Sequence, residues 1–342
     1  MGSRLFEAEL PIVAAPMSGG ASCPALVSAV AGAGAFGFLA AGYKSPDAMA
    51  AEMAQLRAAG TSYGVNVFVP TTGQIGEEDF RRYAEELAGE GRPYGLDLAH
   101  APRRDDEDDA WQAKIDLLLE NPVQAVSFTF GLPAAEVVVA LRDRGTRVLV
   151  TVTTVAEALL ADQLGCDGLV VQGSAAGGHS GTFDPRRPMP RVSTEALVAE
   201  VVAATGLPVL AAGGVPGPAE GRALLAAGAD AVAVGTLLLR CDESATTQVH
   251  KDALADPART ETVLTRAFTG RPARGLRNGF VDRHEASAPH GYPAIHYLTR
   301  ELRTAAAAAG HPDRVHLWAG TGYRAARTGP AADIVSELAS GL

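Results

Sequence analysis

Between Asp167 and Gly181 the chain reads DGLVVQGSAAGGHSG, a short apolar run that breaks into a loop with glycines at positions 173, 177, 178 and 181. In that loop His179 is the one side chain able to exchange a proton near neutral pH. Glycines let backbone come close to a flat or phosphorylated ligand and take up positive φ. A strand that delivers an isolated proton carrier into such a loop has the form of an active site, although a lone histidine beside glycines can equally be a hydrogen-bonded structural residue.

Two later loops bear on that choice. Apolar runs end in Ala212-Gly213-Gly214 and in Gly235-Thr236, each ahead of a helical pattern. Backbone N–H groups at such loops, with a helix N-terminus behind them, suit a phosphate. The glycines of either loop alone could serve tight packing, but both loops together in consecutive units favour an anion site.

The elements that must hold these loops follow a regular plan. Apolar stretches at 11–15, 34–42, 63–70, 123–128, 147–152, 167–171, 207–214 and 229–236 read as strands. Helical patterns alternate with them, at 22–33, from Ser45-Pro46-Asp47 onward, and at 134–144, 155–164, 194–205 and 218–227. Eight strand–helix units in succession predict a TIM (β/α)8 barrel, with the loops that follow the strands gathered on one face. A misread strand would leave an open sheet as the alternative. The alternation pauses after the third strand, where 77–90 has an amphipathic pattern and HAPRRDDEDDA reads as a solvated connection, with a ligand role for its carboxylates as the lesser option.

Past residue 240 the pattern changes to helical stretches at 244–255 and 293–309, separated by FTGRPARGLRNGFVDRHEASAPHGYP. The organisation expected is a barrel over 1–240, a small helical cap inserted at 241–314 above the strand ends, and a segment at 315–342 returning to the barrel.

Composition narrows the function classes. Apolar residues make up 47% and charged residues 20% of 342, the balance of a folded globular chain rather than a disordered one. A net charge of −10 disfavours general attraction to nucleic acid or anionic membrane. Of 29 basic residues only Lys44, Lys114 and Lys251 are lysines, and none closes an apparent strand, which argues against a Schiff-base mechanism. Cys23, Cys166 and Cys241 have no paired spacing, so no metal site is expected and a reducing, cytoplasmic setting is. No apolar stretch is long enough to span a membrane and no leader-like start is visible.

Taken in order, PIVAAPMSGG, GVNVFVP, VSFTFGLP, VVQGSAAGGHSG, LPVLAAGG, AVAVGT and HLWAGTG resemble the flavin-dependent nitronate monooxygenases, also called 2-nitropropane dioxygenases, over nearly the whole chain. The resemblance implies FMN in the barrel mouth and oxidation of alkyl nitronates by O2 to a carbonyl compound and nitrite. It places Ala15, Pro16 and Met17 against the flavin ring and gives Asn66 and Gln172 hydrogen bonds to ring or ribityl groups. Gly177, Gly178, Gly213, Gly214, Gly235 and Thr236 would surround the phosphate end, Gly320 and Thr321 would close the site, and His179 would be the general base. Tyr292, Tyr297 and Tyr323 are the aromatics expected at the substrate mouth, plain packing being open to each. Thr129 and Thr321 depart from the family pattern, which more often has His and Gln there, and so bear on substrate identity more than on flavin.

Two other functions fit the same residues. FMN-dependent NAD(P)H reductases of the enoyl-ACP type share the GGH loop and the AAGG strand, and a flavin-free barrel could hold a phosphorylated metabolite. The expected partners are a small-molecule substrate and O2, with the protein a monomer or a homodimer.

Overall fold

The computed structural model of the protein describes residues 5–71, 75–104, 108–189 and 191–342. Strands form where Val, Ile, Leu, Ala and Phe run together between Gly, Pro or Asn punctuation: β1 (Ile12–Ala14), β2 (Phe36–Ala40), β3 (Gly64–Phe68), β4 (Ala125–Thr129), β5 (Arg147–Val152) and β6 (Gly168–Gln172). A two-residue strand β7 (Gly178–His179) follows, then β8 (Val209–Ala212) and β9 (Ala231–Val234). All but β7 close into one parallel barrel in the order β1-β2-β3-β4-β5-β6-β8-β9, with Ala14 beside Val234 at the seam. The eight stretches expected as strands are the eight staves, and the TIM barrel expectation holds.

Each stave is buried on both faces. Outward residues such as Ile12, Val65, Val126 and Val150 meet the helices. Inward residues such as Val13, Phe36, Phe38, Leu149 and Leu210 fill the barrel. Burial on both sides turns the runs continuously apolar instead of alternating. Leu5 and Phe6, fully or nearly buried, plug the bottom, Phe6 stacking on Phe36 with centroids 4.1 Å apart and meeting Phe38 edge-on at 5.9 Å.

The helices are α1 (Pro24–Gly32), α2 (Pro46–Ala58), α3 (Glu77–Glu86), α4 (Ala88–Gly91), α5 (Trp111–Glu120), α6 (Ala135–Asp143), α7 (Val155–Leu164), α8 (Thr194–Thr205) and α9 (Pro218–Ala226). After the barrel come α10 (Gln248–Ala255), α11 (Gly279–His284), α12 (Ala294–Ala308) and α13 (Ala331–Ala339). Their starts are locally encoded: the hydroxyls of Ser45, Thr154 and Ser193 accept the N–H groups of Ala48, Glu157 and Ala196 at 3.2 Å. Helix ends use left-handed glycines, Gly165 and Gly206 among them.

Above the strand ends lies a second layer. Ile75, Phe80, Tyr83 and Leu98 share an apolar cluster with Phe268, Phe280, Ile295 and Leu302, so residues 75–98 and 267–302 pack as one body although far apart in sequence. This layer is not purely helical. Strands β10 (Thr262–Thr265) and β11 (Ala273–Leu276) form an antiparallel pair, and β11 also pairs with β7, setting Ala273 opposite His179 and Arg274 opposite Gly178. The Arg- and Gly-rich stretch that begins at Phe268 thus carries the central strand of a small sheet.

In the charge-dense run, Asp105, Asp106 and Glu107 lie outside the described residues. Asp109 departs from the solvated expectation: it pairs at 2.8 Å with Lys114, whose side chain is fully buried, and accepts the N–H of Tyr43 at 2.9 Å. Lys114 also donates to the carbonyl of Ala41, just past β2, at 3.0 Å. Burial disfavours both charges, raising Asp109 and lowering Lys114 from their ordinary values.

Candidate active site

The barrel mouth opens into a cavity of 590 Å³ between the strand ends and the upper layer. Its floor and walls include Ala15, Pro16, Met17, Asn66, Gln172, Gly177, Gly178, His179, Gly213, Gly214, Gly235, Thr236 and Gly320. Twelve of the thirteen positions expected at a cofactor therefore line the one cavity, with His179 on its wall. Thr321 is exposed and does not line it, its N–H being tied to the carbonyl of Ala175 at 3.0 Å.

Loop geometry explains the glycines. Gly213 has φ +105°, and a Cβ there would come 2.7 Å from the backbone nitrogen of Ala176. A Cβ on Gly177 would meet the nitrogen of Gly320 at 2.6 Å, so the β6 loop and the returning C-terminal segment touch backbone to backbone. Gly320 N–H donates to Thr236 Oγ1 at 2.9 Å, which fixes that segment against the end of β9. Among the described residues the N–H groups of Gly213, Gly214, Gly235 and Thr236 make no hydrogen bond. They are four donors at one end of the cavity, two of them opening a short 3-10 turn at Thr236–Leu238. Such a set is chemically suited to an oxyanion.

The polar side chains on the floor are constrained. Asn66 Nδ2 donates to the Ser127 carbonyl and hydroxyl and to Thr129 Oγ1 at 2.9–3.0 Å, which leaves its carbonyl oxygen as the free acceptor. Gln172 spans its own loop, donating to the carbonyl of His179 at 3.1 Å and accepting from Gly181 N–H at 2.7 Å. Its amide is therefore the brace that holds the histidine loop over the mouth. Thr129 bridges from Asn66 to Thr151, at 3.1 Å from its hydroxyl. Ser22 pins the Ala15–Met17 turn by accepting Met17 N–H at 2.8 Å.

His179 is enclosed by Phe130, Tyr292 and Trp318, with ring centroids 5.8, 5.7 and 5.5 Å away. Its Nε2 lies 2.9 Å from Thr269 Oγ1, and Thr269 in turn donates to the carbonyl of Arg271 at 3.2 Å. A hydroxyl whose proton is committed to a carbonyl accepts from the ring, so this arrangement puts the imidazole proton on Nε2 and leaves Nδ1 with the lone pair. Burial, then the charges of Arg271 and Arg303, push His179 down to about 3, so the ring is neutral at any physiological pH.

Both guanidiniums are missing from the sequence expectations. Arg271 is fully buried, its guanidinium 3.9 Å from the Phe130 ring centroid and bonded to the carbonyls of Ser180 and Thr182. Arg303 on α12 lines the cavity and is held by Thr299 and by the His296 carbonyl at 2.9 Å. Neither has a carboxylate partner among the described residues, and no carboxylate lines the cavity. Burial lowers both to about 10, which leaves them charged. The mouth is therefore electropositive inside a chain of net charge −10.

The substrate-side aromatics differ from those expected. Tyr292 packs behind His179 and reaches the Tyr43 hydroxyl at 3.3 Å, Tyr297 lies under Arg104 at 4.6 Å, and buried Tyr323 donates to the Arg259 carbonyl at 2.6 Å. None of the three lines the cavity, because their hydroxyls and faces are taken up by the upper layer. Tyr43, Phe68, Phe130 and Trp318 supply the aromatic wall instead, with His250 and His316 alongside. Tyr43 has φ +67°, a left-handed conformation braced by Asp109, and this is what turns its ring toward the mouth. Of these residues Phe68, Phe130, His316 and Trp318 fall within motifs quoted from the sequence, GVNVFVP, VSFTFGLP and HLWAGTG, whereas Tyr43 and His250 fall in none.

Comparison with known proteins agrees with this geometry. A family model described as nitronate monooxygenase matches residues 3–341. A Staphylococcus aureus (strain Newman) protein described as "Probable nitronate monooxygenase" is 34% identical, over 98% of this chain and 95% of its own length. The crystal structure of a nitroalkane oxidase from Streptomyces ansochromogenes is 45% identical, with a TM-score of 0.91, over 98% of this chain and 96% of that one. A FabK from Thermotoga maritima shares the fold, with a TM-score of 0.77 at 23% identity over 100% of this chain and 96% of its own.

Proposed function

The chain belongs to the nitronate monooxygenase family of oxidoreductases, and from that premise we propose that it oxidises alkyl nitronates, and the nitroalkanes that give rise to them, with O2 to a carbonyl compound and nitrite, using FMN. The observation that carries the reading is the pairing, in one cavity, of a four-donor backbone cradle at β8 and β9 with a neutral, half-buried imidazole on the β6 side.

The cavity fits FMN on its own chemistry. The unpaired N–H groups of Gly213, Gly214, Gly235 and Thr236 would hold the phosphate, and a Cβ at Gly213 would run into Ala176 and force the cradle to shift. Pro16 and Met17 would flank the ring, while the free carbonyl of Asn66 would accept from a ring or ribityl donor. When bound, the flavin supplies the electron transfer between substrate and O2 that no side chain here can perform.

The protein's own contribution is proton transfer and electrostatics. His179 accepts the proton from the carbon next to a nitro group at Nδ1, the nitrogen that its bond to Thr269 leaves free. The anion that forms spreads its charge onto the nitro oxygens, where the field of Arg303 and Arg271 favours it. The same field discourages the imidazolium, so the step depends on the two charges appearing together. Phe68, Phe130 and Trp318 keep water out of the mouth.

Steady-state assay tests the reading. Nitrite release and oxygen uptake from a nitronate without nicotinamide are expected; consumption of NAD(P)H with an enoyl thioester and no nitrite would favour the reductase. Protein with no flavin absorbance after gentle purification would remove both.

A further inference from the structure

On the far face of the β7–β11–β10 sheet is a second cavity of 530 Å³ that the barrel-mouth chemistry does not use. Because successive residues of a strand point to opposite faces, Arg274 projects to this side while His179, opposite Ala273, faces the mouth. Among the described residues five arginines line the second cavity, and Glu285 is its one carboxylate.

The donors there outnumber their partners. Arg187 is committed to Glu157 at 2.9 Å, and Arg266 is loosely paired with Glu285 at 3.6 Å. Arg274 uses Nε and Nη1 on the carbonyl of Ser174 and on Thr262, acceptors that carry no charge, and has no carboxylate among the described residues. Arg186 likewise makes no ion pair among them. His290 Nε2 lies 3.1 Å from Arg266 Nη1, which can only donate, so His290 carries its proton on Nδ1. Among the described residues that buried N–H and the Nε–H of Arg266 both lack an acceptor. A site of converging donors without matching acceptors is one that an oxyanion completes.

We propose that this cavity, centred on Arg186, Arg266, Arg274 and His290, binds the phosphate or pyrophosphate group of a small anionic metabolite. Several guanidinium forks around one space suit an anion with three or more acceptor oxygens better than a single carboxylate, which one fork saturates. Met189 and Leu264 give the rim an apolar side for the uncharged part of such a ligand.

Calorimetric titration of the whole protein, as purified, with inorganic pyrophosphate, ADP and adenosine tests this. Pyrophosphate and ADP are expected to bind, with affinity falling as salt rises, and adenosine is not. ADP binding more tightly than pyrophosphate would identify a nucleotide as the occupant; equal affinities would identify free polyphosphate. Arg186→Glu and Arg274→Gln should each weaken pyrophosphate binding at least tenfold with an unchanged thermal midpoint, whereas Gly213→Ala at the other cradle should leave it unaltered. Absence of pyrophosphate binding, binding lost in Gly213→Ala but kept in the arginine variants, or adenosine binding as well as ADP would each overturn the proposal.

Discussion

His179→Asn is the perturbation that isolates the proposed base. The Asn amide reaches only as far as Nδ1 does, so the bond from Nε2 to Thr269 Oγ1 is given up, but the Gln172 amide still ties the loop through the residue 179 carbonyl and Gly181 N–H, so the loop and its aromatic surround should persist. What disappears is the basic nitrogen lone pair of a side chain that lines the cavity. A positioned general base is worth about 10²–10⁴ in rate, equivalent to about 3–5 kcal/mol of barrier. kcat/KM on neutral nitroalkanes should fall by that factor, while turnover of preformed nitronates, which need no deprotonation, should change less than about tenfold on the same scale. In the wild-type enzyme, because burial and then Arg271 and Arg303 hold His179 at about 3, the pH profile of kcat/KM should be flat through the region where an ordinary histidine titrates. The assay is nitrite release from paired neutral and anionic substrates across pH, with flavin absorbance and thermal midpoint measured on the same samples. Equal losses on both substrate forms with flavin retained, or no loss on either, would refute proton abstraction by His179.

Thr269→Val should lower kcat on neutral nitroalkanes by about tenfold, roughly the worth of one hydrogen bond, with Thr269→Ser restoring it, as read by nitrite release. Gly213→Ala places a Cβ 2.7 Å from Ala176 N, so purified protein should lose flavin absorbance while its circular dichroism is unchanged. Lys114→Met leaves the Asp109 carboxylate without its partner and should cost about 3 kcal/mol in urea unfolding, the scale for breaking a buried pair. Acid should destabilise the fold: burial holds His179 at about 3 and His250 at about 4, below the ordinary 6.5, so the unfolded chain binds protons first. Each of the two then removes about 1.4 kcal/mol per pH unit below about 6.5, stability being intact above it, and urea midpoints measured from pH 7 to 4 should fall accordingly.

The barrel was legible because its staves are buried on both faces, so that PIVAA or GLVVQ announces itself without reference to any partner. The glycines were legible for a related reason: positive φ at Gly213 and backbone contact at Gly177 exclude other residues. Charge inside the protein was not. Arg271 and Arg303 look like any surface arginine in sequence, and their burial depends on carbonyls and rings contributed by distant segments. Tyr292, Tyr297 and Tyr323 have the composition of mouth aromatics, but Tyr43 reaches the cavity through a left-handed backbone braced by Asp109, whose run reads as solvent-facing. The upper sheet escaped notice because β7 is two residues long and β11 lies in a stretch rich in Arg and Gly.

One pairing constrains how the enzyme can breathe. Gly178 and His179 are laced into the roof, through β11, as well as into the drum below, through Gln172. A roof that lifts far enough to admit a bulky guest must either tear that lacing or drag the imidazole out of aim. Compact guests that slip in beneath a still roof avoid the conflict, so the architecture itself sieves by size before any wall residue is consulted.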